Sequence, residues 1–472
     1  MSWVIPRRSA RRQAIIRQEN GDVIYRYFMA RFQDALASQS FTERRIGAEL
    51  KFPLVNLDGT AASFDTVCVL WDYLQSRGWQ LVQDTMTGQT VGARKRGQQN
   101  DTVAGCETGF CKAEFSLAHV ANLFDLQEQI QELRAELGSF CDSNGVRFLC
   151  YGIQPMTPPT KRLMIKKGRT SPWVKAFGSN RHIEKKDGDD VHLFTINAAS
   201  HVHVSVCPEE AIDAVNVLNG FSGAQIALTA NSNIWRGRMD PDYKCVAEKF
   251  WDWWMPDSDR VGMPREPFGD IEDYVHTIAD FKPVYVERNG KPIILERYGT
   301  FEEYYKLGRA VGRDTRGQEV SFVPEESDID IHNSCYWYNA RISRYFTVEN
   351  RVNDQQPPDA LLCMAAVTLG LVSALSQAKA VLSSYDWQML REAREIACRR
   401  GLLSRAGEIQ VVPIALRMWD IAHQGLVRRG LGEERFLEPL ERRLSSFECP
   451  ADQARDLFAN GGIDALIDAW RF

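Results

Sequence analysis

The chain has 472 residues, 44% of them hydrophobic and 25% charged, with a formal charge of −5. Such a composition excludes a disordered or collagen-like protein, and the acidic balance gives no overall attraction to nucleic acid or an anionic membrane, so any anion binding must be local. Eleven cysteines, none in a C-x-x-C pair, read as reduced thiols of a cytoplasmic protein rather than a disulfide framework or a zinc site.

The first 40 residues predict a helical arm. Ile15, Ile16, Val23, Ile24, Tyr27, Phe28, Phe32 and Leu36 recur at helical spacing. Arg7, Arg8, Arg11 and Arg12 precede them, as a solvated helix, a lid over an anionic site or an address signal. Residues 46–55 read as extended, and 63–77 as a helix with Ser63 for its cap. Short strands joined by polar turns are expected over 78–106. Residues 123–145 carry the clearest helical stripe, Phe124, Leu126, Ile130, Leu133 and Leu137, with Gly145 just beyond. A strand over 146–152 should follow.

The basic stretch 157–190 lacks periodicity and reads as an exposed, mobile loop, either solvated surface or a lid that contacts phosphate. A strand over 193–206 and a helix over 208–220 come next. Asn289-Gly290 marks a hairpin between strands near 283–287 and 292–296. Beyond Pro357 and Pro358 the chain reads as almost entirely helical. Its most apolar part, 360–380, contains Ser373, Ser376 and Gln377 and is expected to be a core helix rather than a membrane span. The organisation expected is an arm over 1–40, an α+β domain over 41–356 and a helical region over 357–472 packed on it.

Three of the extended stretches carry chemistry. Side chains two apart in a strand share a face, so Glu49 with Lys51, His201 with His203, and Glu349 with Arg351 are paired by geometry. Buried carboxylates need compensating cations or hydrogen bonds, which suggests one ion-filled floor built from all three. Glu107, on a turn, and Glu114, on a short strand with Ser116, would reach the same cavity. Glu49, Glu107, Glu114, His203 and Glu349 are the hard ligands that Mg²⁺ and a nucleotide call for, and Arg351 can fork onto a phosphoryl group or a carboxylate. Each residue also has a simpler reading, as a solvated glutamate, a packed core histidine or a surface ion pair. P-loop and serine-hydrolase motifs are not found.

The order of these segments resembles the glutamate–cysteine ligase family, in the branch of the plant-type enzymes and bacterial carboxylate–amine ligases. Ile46-Gly47-Ala48-Glu49-Leu50-Lys51-Phe52 is similar to the family's opening Gly-x-Glu-x-Glu strand, and Cys106-Glu107-Thr108-Gly109 through Lys112-Ala113-Glu114-Phe115-Ser116 to its second acidic segment. Phe148 through Gly152 to Pro155 resembles its Gly-x-x-Pro strand end, and His201-Val202-His203-Val204-Ser205-Val206 its histidine strand. Ala230-Asn231-Ser232-Asn233-Ile234-Trp235-Arg236-Gly237, Phe301-Glu302-Glu303-Tyr304 and Thr347-Val348-Glu349-Asn350-Arg351-Val352-Asn353-Asp354 complete the series.

The resemblance implies a glutamine synthetase-like α+β fold, a curved antiparallel sheet funnel with outer helices. It implies an ATP- and Mg²⁺-dependent ligase that activates a carboxylate, most simply the γ-carboxylate of glutamate, as an acyl phosphate for attack by cysteine or another amine. Glu49, His203 and Glu349 would surround the nucleotide-side metal, and Glu107 and Glu114 a second. His201 and Arg236 would contact the nucleotide, and Arg351 the transferred phosphoryl group. The partners expected are a small carboxylate and an amine, with no nucleic acid and no membrane. One position departs from the pattern: Lys51 stands where the family has its second acidic residue. Either Lys51 neutralises phosphate or carboxylate in place of one ion, or the site has become a noncatalytic nucleotide- or ligand-binding one. The aromatic run Phe250-Trp251-Asp252-Trp253-Trp254 and the long basic stretch also differ, in the region expected to receive the amine.

Overall fold

The computed structural model describes residues 23–37 and 44–472, apart from 98, 99 and 257. Arg7, Arg8, Arg11, Arg12, Ile15 and Ile16 lie outside the described residues. The arm is described as a helix over Val23–Ala37. It buries Ile24, Phe28 and Phe32, with the two phenylalanine rings set edge-on to Phe346 at 5.5 and 4.8 Å.

Among the described residues nine strands make the principal sheet: β1 (Ile46–Asn56), β2 (Gln80–Gln83), β3 (Thr90–Lys95), β4 (Thr102–Cys106), β5 (Lys112–Ser116), β6 (Val146–Phe148), β7 (Ser200–Ser205), β8 (Ala340–Ile342) and β9 (Thr347–Asn350). Their order is β8-β9-β7-β1-β5-β4-β3-β2, with β6 paired to the far end of β1. Every pairing is antiparallel, which with the many helices makes the α+β fold expected. β1 is the pivot. Ala48, Leu50 and Phe52 are buried in the core, so by the period-two rule Glu49 and Lys51 face the opposite side.

The apolar side of the sheet presents Ala113, Phe115, Val202, Val204 and Val348, all buried. Helix Cys363–Ser373 packs against the central strands β7 and β1, and helix Pro208–Gly220 against β8 and β9 at one edge. The C-terminal helices share the same continuous apolar core. Stretch 360–380 is helical and buried as expected, but as two helices, Cys363–Ser373 and Leu375–Leu382, bent by 89°. Among the described residues no single helix is long and apolar enough to cross a membrane.

Local signals mostly hold. Ser63 Oγ accepts from the Thr66 amide and caps helix Phe64–Ser76, and Gly145, at φ 62°, ends helix Leu123–Asn144. Asn289 and Gly290 take φ of 53° and 70° in the hairpin between Tyr285–Arg288 and Lys291–Ile294, the positive-φ pair of a two-residue turn. Three expectations need correction. The strand after Gly145 is only Val146–Phe148, because Leu149 turns aside to bridge Arg471. Residues Asp190–Thr195 form a 3₁₀ helix, stabilised at its start by reciprocal bonds between Asp189 and His192, so the histidine strand begins at Ser200. The basic stretch 157–190 is no exposed loop: it holds helix Thr170–Ala176 and buries Leu163, Ile165 and Ile183.

Candidate active site

Strand register sets the site. Across the sheet Arg341 pairs with Glu349, Glu349 with His203, and His203 with Gly47. One pair further along β1, Glu49 lies between His201 and Ser116, and beyond it Lys51 lies opposite Glu114. Directly opposed residues share a face, so the three motif pairs and Glu114 converge on one surface. That surface floors a cavity of about 630 Å³.

Two charge groups divide the floor. In the first, Glu49, His203 and Glu349 each offer a ligand atom, all within 4.8 Å of one another. Glu349 is nearly inaccessible, bonded to Arg341 Nε at 2.8 Å and to Arg351 Nη1. Burial would raise its carboxyl, but the two guanidiniums hold it well below the ordinary range. His203 Nδ1 lies 2.9 Å from Thr347 Oγ1 and its Nε2 3.3 Å from Glu49 Oε1. His201 Nδ1 is 3.1 Å from Glu49 Oε2. Burial and then the charges of Lys51 and Arg351 push His201 down to about 3, so it is a neutral imidazole at ordinary pH. Glu49 is kept ionised against burial by Lys51 and by the bonds from both histidines.

Lys51 centres the second group. Its Nζ lies 2.8 Å from Glu114, 3.0 Å from Glu107 and 3.4 Å from Glu49. Burial disfavours the ammonium, yet the three carboxylates outweigh that cost and raise it above the ordinary lysine range. Glu114 is driven the other way: burial, assisted by the charges of Glu107 and Glu49 and opposed by Lys51, pushes its carboxyl up to about 8. Lys112, on the same face of β5, bonds Asn197 Oδ1 at 2.9 Å and approaches Glu107 Oε2 at 3.9 Å. Burial pushes it down to about 8 against the pull of Glu107.

The turn that carries Glu107 is held from the basic stretch. Phe110 N donates to Leu163 O and Ile165 N to Thr108 O, both at 2.9 Å. A Cβ on Gly109 would stand 1.9 Å from Thr195 O, so only glycine admits this close approach. The clamp delivers Lys167 and Arg169 to the cavity wall, and Lys167 Nζ donates to Cys106 O. Trp173, Phe194, Trp251, Trp254 and Trp337 also line the cavity, and the Arg169 guanidinium lies 5.5 Å over the Trp173 ring. Half of the aromatic run thus lines the cavity, while Trp253 turns away and stacks on His182 at 4.9 Å.

Three further motifs meet behind the floor. Asp354 Oδ2 accepts from Asn231 N and Ser232 Oγ, each at 2.7 Å, and a Cβ on Gly152 would come within 2.6 Å of Asp354 Cγ. This buried junction fixes the chain just after Arg351. Burial pushes Asp354 up to about 7, against the bonds from Ser232 and Asn231. A raised carboxyl contributes stability that is complete below its unfolded value near 4 and lost as pH rises towards 7. Asp354→Asn keeps an acceptor and removes the charge. In urea unfolding at pH 5 to 8 the variant should gain on wild type as pH rises, by about 2–4 kcal/mol at pH 8.

Of the residues singled out from sequence, Glu49, Lys51, Glu107, Glu114, His201, His203, Glu349 and Arg351 all line this one cavity. Arg236 does not. At φ 54° its backbone reverses, and the guanidinium stacks on Trp235 at 4.0 Å and donates to His182 O. Arg341, Lys112, Lys167 and Arg344 line the cavity and were not foreseen. Lys112 was accessible by the same alternation that selected Glu114; Arg341 needed the β8–β9 register.

The first group fits one divalent ion. Oxygen ligands of Mg²⁺ sit about 2.1 Å from the ion, so opposed donors lie about 4.2 Å apart, close to the spread of Glu49, His203 and Glu349. In the second group the Lys51 ammonium stands among the carboxylates, next to one oxygen each of Glu49, Glu107 and Glu114.

A family model described as glutamate-cysteine ligase family 2 matches residues 46–469. The chain is 23% identical over 427 residues to a chloroplastic glutamate–cysteine ligase of Medicago truncatula, covering 87% of this chain and 75% of the relative. A Mycolicibacterium smegmatis protein, provisionally named glutamate–cysteine ligase 2-3, is 29% identical over 211 residues, 42% of this chain and 51% of its own. A Streptomyces avermitilis protein, provisionally named glutamate–cysteine ligase 2-1, is 25% identical over 276 residues, 58% of this chain and 54% of its own. The matches thus span about half the length of these two bacterial relatives. A solved glutamate–cysteine ligase of Francisella tularensis in complex with AMP shares the fold, with a TM-score of 0.50 at 11% identity over 90% of this chain and 87% of that one. With nearly its whole length matched by the family model, and the acidic, histidine and Glu-x-Arg strands gathered at one site, the chain belongs to glutamate–cysteine ligase family 2.

Proposed function

We propose that the protein is an ATP- and Mg²⁺-dependent carboxylate–amine ligase that forms an amide through an acyl phosphate, joining the γ-carboxylate of glutamate to cysteine or another amine. The observation that carries this reading is the convergence of Glu49, His203 and Glu349 within one ion's reach, flanked by Arg341 and Arg351, in a chain of this family. A free carboxylate is a poor electrophile; transfer of the γ-phosphoryl group of ATP gives it a leaving group, and attack by the amine then releases phosphate. A cation held by Glu49, His203 and Glu349 would neutralise triphosphate charge.

The chain's own residues supply the rest. Arg351 presents a guanidinium at the edge of the cation group, suited to charge developing on the transferred phosphoryl oxygens. Arg341 holds Glu349 in place and ionised. Neutral His201 orients Glu49 on the nucleotide side, and Lys51 adds fixed positive charge beneath the reacting carboxylate. The tryptophan wall gives the cavity an apolar side, against which the nucleobase or the amine substrate would pack.

The test is ADP and phosphate release by the purified full chain with ATP and Mg²⁺, with and without glutamate, across a panel of amines that includes cysteine. Release that needs both acid and amine, with the amide seen by mass spectrometry, is expected. The buried Lys51 also favours a second reading, a binding protein that keeps the ligase fold. Nucleotide binding without release for any pair would select it.

A further inference from the structure

We propose that the Lys51 ammonium is a built-in cation that takes the place of one divalent ion, so that the cavity floor loads a single divalent cation, at Glu49, His203 and Glu349, and none at Glu107 and Glu114. The inference rests on the reading above only in taking the cavity to use a divalent cation.

Glu107 and Glu114 are already closed around an ammonium. Glu107 turns Oε1 to Lys51 at 3.0 Å and Oε2 to Lys112 at 3.9 Å. Glu114 turns Oε2 to Lys51 at 2.8 Å, and its Oε1 accepts from Ser116 Oγ at 3.2 Å. Lys51 Nζ therefore already occupies the space between the two carboxylates, within 3.0 Å of an oxygen of each, while Glu114 Oε2 accepts no hydrogen bond. A divalent ion would have to displace an ammonium whose backbone is pinned: Lys51 N donates to Ala199 O and Gln355 Nε2 to Lys51 O, both at 3.0 Å. The side chain is 7% exposed, so it cannot swing into solvent. Glu349 is also engaged on both oxygens, by the guanidiniums of Arg341 and Arg351, and Lys51 Nζ reaches Glu49 Oε2 at 3.4 Å. What sets this group apart is that Glu49 is held by the imidazoles of His201 and His203, the second of which offers a ring nitrogen to an ion, whereas Glu107 and Glu114 are held by an ammonium, which offers no lone pair.

The ammonium differs from a metal in what it can do. It is a point charge with three donors and no vacant coordination position. It can neutralise a carboxylate or phosphoryl oxygen, but it cannot be chelated away and cannot draw that oxygen to metal–ligand distance. The position of positive charge under the reacting carboxylate is then independent of free metal concentration.

The probe is Mn²⁺, counted per chain by the loss of the free-ion electron paramagnetic resonance signal and by calorimetry, with and without a non-hydrolysable ATP analogue. One ion is expected in wild type, one in Glu107→Gln, none in Glu349→Gln and two in Lys51→Glu. A wild-type count of two that falls to one in Glu107→Gln overturns the proposal, as does a wild-type count of zero. So does a folded Lys51→Glu that still binds one. If circular dichroism shows Lys51→Glu unfolded, the first three proteins decide. Amide formation is followed separately. Counts of one, one and none in a protein that forms no amide would sink the ligase reading and keep this one, whereas an active ligase that binds two ions at these carboxylates would do the reverse.

Discussion

Glu349→Gln is expected to remove amide formation by a factor of about 10³ or more and to destabilise the fold by about 3–5 kcal/mol at neutral pH. The two effects share one cause. Glu349 is the acceptor between two guanidiniums, with Arg341 Nε at 2.8 Å and Arg351 Nη1 on the other oxygen, in a place where it is 3% exposed. Glutamine keeps the shape but removes the charge, leaving two buried cations whose desolvation is no longer offset. The carboxylate is held well below its ordinary range by Arg341 and Arg351 against burial. Its contribution to stability is therefore present above the unfolded value near 4.5 and lost as pH falls towards the depressed folded value. The variant should accordingly lose less on acidification than wild type does. Urea unfolding at pH 4 and pH 7.5 checks the stability, and ADP release checks the activity. A variant that is destabilised but fully active would remove Glu349 from the proposed site and leave it a strut between strands.

Much of this site was legible because strands alternate. The pairs Glu49-Lys51, His201-His203 and Glu349-Arg351 needed only the two-residue period to be assigned to common faces, and all six residues line one cavity. What the alternation could not supply was register. Arg341 faces Glu349 only because β8 turns back on β9, and nothing near Arg341 in the chain marks it as a partner. Arg236 failed for a related reason. Trp235, Arg236 and Gly237 form a turn with φ of 54° and 73° at the last two, so proximity in sequence to Asn231 and Ser232 did not carry Arg236 to their location. The basic stretch misled because its buried residues, Leu163, Ile165 and Ile183, have no periodic spacing. Leu163 and Ile165 are held at the turn bearing Glu107, whereas Ile183 is held separately, its N–H donating to Asp190 Oδ1; they are not buried along one face. The role of Asp354 was also hidden, since its partners Asn231 and Ser232 come from a segment more than a hundred residues away.

Lys51→Met should be the most damaging single change in the second charge group. It removes the cation shared by Glu49, Glu107 and Glu114 and keeps the volume of the aliphatic stem. Three carboxylates are then left together with Lys112 as their nearest lysine, at 3.9 Å from one of them. An uncompensated buried charge costs about 3–5 kcal/mol, but carboxylates can escape part of that cost by taking up protons. Glu114 already does so in wild type, pushed up to about 8 by burial with the charges of Glu107 and Glu49 added, despite Lys51. Without the ammonium, Glu107 should follow it upwards, because the attraction of Lys51 is the leading influence that keeps Glu107 low against burial. A carboxyl raised in the folded state binds a proton that the unfolded chain releases, so its contribution is complete below about 4.5 and is lost as pH rises. The penalty of Lys51→Met should thus be small at pH 5 and reach about 3–5 kcal/mol at pH 8, measured by urea unfolding in the presence of a chelator. A penalty that is the same at both pH values would mean that the carboxylates do not take up protons in its absence. The ammonium would then act by filling space rather than by balancing charge, and the case for Lys51 as a fixed cation would fall with it.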